Sequence, residues 1–191
     1  LGWAPKDNRE LFTLREFVEV FDPAGFQKAN PVFNKEKLDW FNKQYLIRKP
    51  LPEFITYVSG ASGLREEPNF SSVAFGTASG LQPRVSNITQ YDNLIKPIFV
   101  KPKIEHSLLT EKYKSHLSLA SNTLQKLEKW EKSDIDEALM QVVENNKFNT
   151  GDFFMDLRIA ITGKTVTPPI SDFIANMPKA EAISRLKTAI K

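Results

Sequence analysis

Two arginines and a threonine are the residues of this chain best suited to recognition chemistry. Arg158 directly follows Leu157 in the run FFMDLRIAITGKTVTPPISDF, residues 153–173, where Phe153, Phe154, Leu157 and Ile161 fall at helical spacing. A guanidinium in an apolar helix carries five donors and is seldom buried without a partner for them. Its partner must be planar and rich in acceptors: a carboxylate of the same chain, a nucleic-acid base or a phosphate. Asp156 is the nearest carboxylate, although side chains two residues apart do not face each other on a helix. Arg84 follows Pro83, whose fixed φ stiffens the entry to its segment. Thr167 stands before Pro168-Pro169, where its hydroxyl is placed to cap the next helix. That role is compatible with ligand contact, because an exposed helix start already aims backbone donors at an anion.

No catalytic constellation accompanies these residues. The sequence holds no glycine-rich phosphate loop, no HExxH and no nucleophile elbow. Gly60-Ala-Ser-Gly63 leads into LREEP and reads as linker. Cysteine is absent, which removes disulfides, thiolate metal sites and thiol nucleophiles together. His106 and His116 have no acidic or histidine partner at metal-ligand spacing, so both read as plain surface or helix residues and no metal site is expected. Asp134, Asp136 and Glu137 read as a solvated helix start, where acids meet the positive end of the helix dipole.

The elements that must position Arg84, Arg158 and Thr167 are helices. Thr13-Leu-Arg-Glu16 matches a capping box, and Leu14, Phe17, Val18 and Phe21 follow at i, i+3, i+4, i+7 until Asp22-Pro23. A second helix starts at Asn34 and ends before Arg48-Lys49-Pro50, with Trp40, Phe41 and Tyr45 expected in the core. Residues 59–80 are rich in small side chains and read as a linker or a weakly formed helix. Helical turns are expected around Ile88, Tyr91, Leu94 and Ile95 and on through Ile98-Phe99-Val100. From about residue 107 the pattern is regular. Leu117, Ala120, Leu124 and Leu127 share a face. Ser133-Asp-Ile-Asp136 opens a helix lined by Ile135, Ala138, Leu139 and Val142, and Pro178 starts the last, with Ile183, Leu186 and Ile190 inward. The fold class is mainly α: a helical region followed by an all-helical bundle.

Composition bounds the partners. The chain has 191 residues, 41% of them hydrophobic, which suffices for one large domain or two small ones. No apolar run is long enough to span a membrane and no leader pattern opens the sequence, so a cytoplasmic location is expected. A net charge of +3 and a pI near 9.0 allow an anionic partner without demanding one.

Four stretches in series carry a family resemblance. LGWAPKDNRELFTLREFVEVFD, PVFNKEKLDWFNKQYLIR, LQPRV and DLRIAITGKTVTPPI resemble, in order and spacing, the C-terminal part of bacterial-type glutamyl-tRNA synthetase. The resemblance covers nearly the whole chain; residues 59–80 match poorly. It implies a class I ligase that attaches glutamate to tRNA(Glu) using ATP with magnesium. Its HIGH and KMSKS signatures do not occur here, so the chain is expected to be inactive alone and to hold no cofactor.

The resemblance divides the chain into a partial stem-contact region over 1–58, a linker or shortened helix over 59–75, and an anticodon-binding helical region over 76–191. It places anticodon contacts at Arg84, Arg158, Thr167 and Ile170, with Arg84 on the third anticodon letter and Arg158 and Thr167 by the first. Asp156, where the family often has Pro, and Pro169, often Gly, depart from the pattern. Glutamate and glutamine tRNAs differ at the third letter, C against G, and Arg84 is expected to favour C. The expected partner is tRNA(Glu), bound by a monomer without a membrane. The alternative is a helical protein-interaction module that keeps the fold without RNA binding; steep salt dependence marks RNA binding.

Overall fold

A computed structural model describes residues 2–26 and 32–191; Leu1 and 27–31, where the second resemblance segment begins, lie outside the described residues. Ten α-helices are present among the described residues, and the one β pairing there is a single bridge between Trp3 and Phe26.

Local signals set the first two helices. In α1 (Leu14–Val20) the Thr13 hydroxyl accepts from Glu16 N and the Glu16 carboxylate accepts from Thr13 N, completing the capping box. Asn34 caps α2 (Lys35–Arg48) by accepting from Lys37 N at 2.8 Å. The expected burial of the α2 aromatics does not hold. Trp40 is 42% and Tyr45 43% exposed, Phe41 is half-buried, and Leu46 is the one buried residue of this helix. These rings line open depressions beside α1 and the opening loop, and Tyr45 hydrogen-bonds the Phe12 backbone through its hydroxyl.

Of the two readings of the small-residue stretch, the helical one holds for residues 59–61 and 70–80, with a turn between them. It begins with the end of α3 (Leu51–Ala61), passes a turn in which Asp92 accepts from Ser62 Oγ and Gly63 N, and continues as α4 (Phe70–Leu81). Phe70, Val73, Ala74, Thr77, Ala78 and Leu81 of α4 are buried. Gly76 and Gly80, one turn apart, form the face of α4 that meets α9 (Ile170–Ala175). A Cβ at Gly76 would overlap Asn176 Oδ1 and lie 2.8 Å from its Cγ, and Asn176 is held by its bond to Asp172 O at 2.7 Å. At Gly60 a Cβ meets nothing within 4 Å. Gly60→Ala is therefore expected to leave stability unchanged or raise it by up to about 1 kcal/mol. Gly76→Ala is expected to cost about 1–3 kcal/mol through overpacking. Urea denaturation of the two variants checks the contrast.

Beyond α4 the expected bundle is present. Asn87 caps α5 (Ile88–Phe99), whose Tyr91, Ile95 and Ile98 turn inward. The helix α6 (Tyr113–Lys126) packs on α7 (Lys132–Asn146), α8 (Thr150–Thr162) and α10 (Lys179–Ala189), and α9 packs on α4, α7 and α8. One continuous apolar core, from Phe54 and Tyr91 to Leu139, Phe153 and Leu186, runs through these helices. Three expected details differ. The helix α7 begins one residue before Ser133 with no side-chain cap. In α10, Ile183 is only half-buried, while Ala182, Arg185, Leu186 and Ala189 face inward. His116 is buried in α6 rather than on the surface, 1% exposed, with Nδ1 donating to Asp156 Oδ2 at 2.7 Å.

Candidate functional site

Arg84, Arg158, Thr167 and Ile170 line one open depression of about 410 Å³, although they lie far apart in sequence. Each is placed by a different local device. Arg84 ends a 3-10 turn, Gln82–Arg84, that leaves α4. Gln82 Nε2 donates to Leu46 O and Lys49 O, both at 2.8 Å, which ties this turn to the end of α2, and Val85 is buried behind it. Arg158 sits in α8, offset from the buried Asp156, Leu157 and Ile159, so its stem leaves the core sideways.

Thr167 belongs to the loop after α8. That loop turns at Gly163, whose φ of 69° lies in the left-handed region and where a Cβ would come within 2.8 Å of Pro102 Cβ. Ile170, 2% exposed, opens α9 and forms an apolar wall.

The carboxylate partner for Arg158 is not Asp156. Asp156 is fully buried on the other side of α8. It accepts from Thr110 N at 2.8 Å, Thr110 Oγ1 at 2.7 Å and His116 Nδ1. Arg158 Nε donates to Thr167 Oγ1 at 3.0 Å, and Nη1 approaches the weak acceptor Met155 Sδ at 3.9 Å. Its remaining donors have no partner among the described residues. Burial pulls the guanidinium below its ordinary pKa, and it stays charged at neutral pH.

Thr167 does not cap α9. Its hydroxyl donates to Pro168 O at 2.8 Å, and the α9 N-cap position, Pro169, makes no side-chain cap. The threonine instead orients Arg158.

The depression also contains groups that the sequence pattern did not single out for it. Asp136 of α7, Phe154 of α8, Pro169 and Ser171 complete its lining. Lys132 Nζ lies 3.5 Å from both Asp136 Oδ2 and Asp172 Oδ1, one cation shared by two carboxylates. The Asp172 carboxyl is pushed above its ordinary value by burial, and Lys132 and Arg84 partly offset this. Arg84 is exposed and forms no hydrogen bond or ion pair among the described residues. The i, i+4 spacing of Lys132 and Asp136 is visible in the sequence, yet it marks only a helix-surface pair.

A larger depression, about 880 Å³, lies between α1, α2 and the opening loop, with Trp3, Phe12, Phe17, Phe33, Phe41 and Tyr45 among its walls. Its one close cation–carboxylate pair, Lys37 with Glu10, is already internally satisfied. The smaller depression holds Arg84 and the unpartnered donors of Arg158.

Fold and site together define an all-α binding domain, with donors outnumbering acceptors in its open depression. The chain belongs to the anticodon binding domain family, whose model matches residues 17–190. It is 28% identical over 186 residues to glutamate–tRNA ligase 1 of Fervidobacterium nodosum, covering 97% of this chain and 39% of that protein. Glutamate–tRNA ligase of Elusimicrobium minutum is 26% identical and matches along 100% of this chain and 41% of its own length. The crystal structure of glutamate-tRNA synthetase from Elizabethkingia anophelis superposes with a TM-score of 0.78 at 25% identity, over 100% of this chain and 38% of that one. A glutamate tRNA ligase from Elizabethkingia meningosepticum, crystallised with its amino acid, shares the fold with a TM-score of 0.84 at 23% identity, over 100% and 39%. The chain thus spans about two fifths of the length of these relatives.

Proposed function

We propose that this chain is the tRNA-binding, C-terminal part of a glutamate–tRNA ligase, and that it reads the anticodon of tRNA(Glu) through Arg84, Arg158, Thr167 and Ile170. The observation that carries this reading is the meeting of these residues in one open depression, with two guanidiniums that lack a carboxylate partner there. Anticodon bases are unstacked, so their pairing edges are open to side chains. The Arg158 guanidinium is pre-set by Thr167 and needs little ordering on binding. Arg84 donates to the acceptors of a third-letter cytosine, whereas a guanine there presents opposing N–H groups. A bidentate contact of this kind discriminates by about 1–3 kcal/mol.

Binding here orients the tRNA terminus toward the catalytic part, a contribution of position rather than chemistry. Ligation, glutamate binding and ATP with magnesium belong to that part. The depression itself does not fit a magnesium–nucleotide site, because its nearby carboxylates, Asp136 and Asp172, share Lys132. A monomer in the cytoplasm completes the proposal.

Titration of the chain with glutamate tRNA and with an anticodon-altered copy tests the reading. The altered copy is expected to bind about tenfold more weakly or worse, and both affinities are expected to fall steeply with salt. Equal binding of the two tRNAs would overturn anticodon readout; no salt dependence would favour a protein-interaction module.

A further inference from the structure

Asp136 stands apart from the donors around it. It lines the same depression as Arg84, Arg158 and Thr167, and it is the one carboxylate in that lining. Its side chain is 43% exposed, so it is not a core residue. Lys132 occupies one side of the carboxylate, 3.5 Å from Oδ2, and Oδ1 has no partner among the described residues. Lys132 also lies 3.5 Å from Asp172 Oδ1, so Asp136 keeps one oxygen without a partner in the same lining as the Arg84 and Arg158 guanidiniums.

One carboxylate oxygen beside a guanidinium matches a particular base edge. Cytosine presents an exocyclic amine followed by two acceptors, its ring nitrogen and its carbonyl. Uracil presents a carbonyl where the amine would be, facing the carboxylate with a like partial charge. Guanine presents one acceptor followed by two donors, which leaves a bidentate Arg84 one acceptor short. Adenine supplies the amine but only one acceptor. We propose that Asp136 is a further specificity-determining residue, whose free oxygen accepts the exocyclic amine of the cytosine that takes its other bonds from Arg84. This inference rests on the anticodon reading above.

The test uses the chain and anticodon stem-loop RNAs carrying C, U, A or G at the third anticodon letter, titrated at one fixed salt concentration. The wild-type chain is expected to bind the C form best, with A next and U and G weakest. In Asp136→Ala the preference for C over U is expected to shrink about tenfold, the value of one charge-assisted hydrogen bond. Asp136→Asn is expected to lose it as well, because the amide oxygen stays with Lys132 and its NH2 group faces the base, which suits the uracil carbonyl. A wild-type preference for C that survives intact in both variants overturns the role of Asp136 while leaving anticodon reading in place. An equal loss of affinity for all four RNAs also overturns it, since that is a structural effect. Indifference of the wild-type chain to the base overturns the anticodon reading, and this inference with it.

Discussion

Asp156→Ala is expected to destabilise the domain by about 3–5 kcal/mol, the cost of leaving buried polar partners uncompensated. The measurement is the urea midpoint at unchanged slope. Asp156 is fully buried, and its carboxyl accepts from Thr110 N, Thr110 Oγ1 and His116 Nδ1 at 2.7–2.8 Å. Alanine would strand all three donors, one of them on a histidine packed edge-on against the Phe148 and Phe153 rings at 4.5 and 5.6 Å. Asp156→Asn keeps one acceptor oxygen and is expected to lose less. These bonds fasten α8 to α6 and to the Thr110 loop, and Arg158 lies two residues along α8, so the same variant should loosen the depression. A loss below about 1 kcal/mol would show that water or rearrangement replaces these bonds, against the burial seen here.

Arg185→Leu is expected to cost a similar amount, about 3–5 kcal/mol. Arg185 is 3% exposed, and its guanidinium makes three hydrogen bonds. Its Nη1 donates to Pro97 O near the end of α5 and, at 2.8 Å, to Ile161 O near the end of α8, while Nε donates to Glu181 Oε1 at 2.7 Å. Both carbonyls lie at helix C-terminal ends, where the dipole favours a cation. Leucine would fill much of the volume but leave the Pro97 and Ile161 carbonyls without this donor and Glu181 with only the distant Lys101. Arg185→Lys should also destabilise, by less, because a single ammonium cannot reproduce the planar fork that reaches three acceptors. Thermal melts of the two variants separate charge from geometry: equal stability of Arg185→Lys and wild type would remove the fork from the account.

The parts of the fold that were legible in the sequence are those whose bonds close within four residues. The Thr13–Glu16 capping box and the Asn34 cap both formed at the positions that the spacing indicates. Legibility failed where a residue's environment comes from distant chain. The stretch with Gly76 and Gly80 reads by composition as a linker or a weakly formed helix, yet its small residues let a well-formed α4 approach Asn176 and Asp172 closely. Trp40 and Tyr45 look like core by residue type, and their place along open depressions leaves them exposed. Thr167 looks like a helix cap, and the helix it precedes turned away from it to leave the hydroxyl with Arg158.

By itself the sequence determined the helical class, the limits of the first two helices, the identities of Arg84, Arg158 and Thr167 as residues suited to recognition, and the family resemblance that adds Ile170. Periodicity and capping are short-range, so one strand of text is enough to encode them. Only the tertiary structure decided that these four residues share a depression, that Asp136 joins them, and that Asp156 turns to His116 instead of Arg158. Those outcomes depend on how α4, α7, α8 and α9 cross. The crossing is set by side chains meeting across long sequence separations, Gly76 against Asn176 and Arg185 against Pro97 and Ile161, where spacing along the chain carries no information about distance in space.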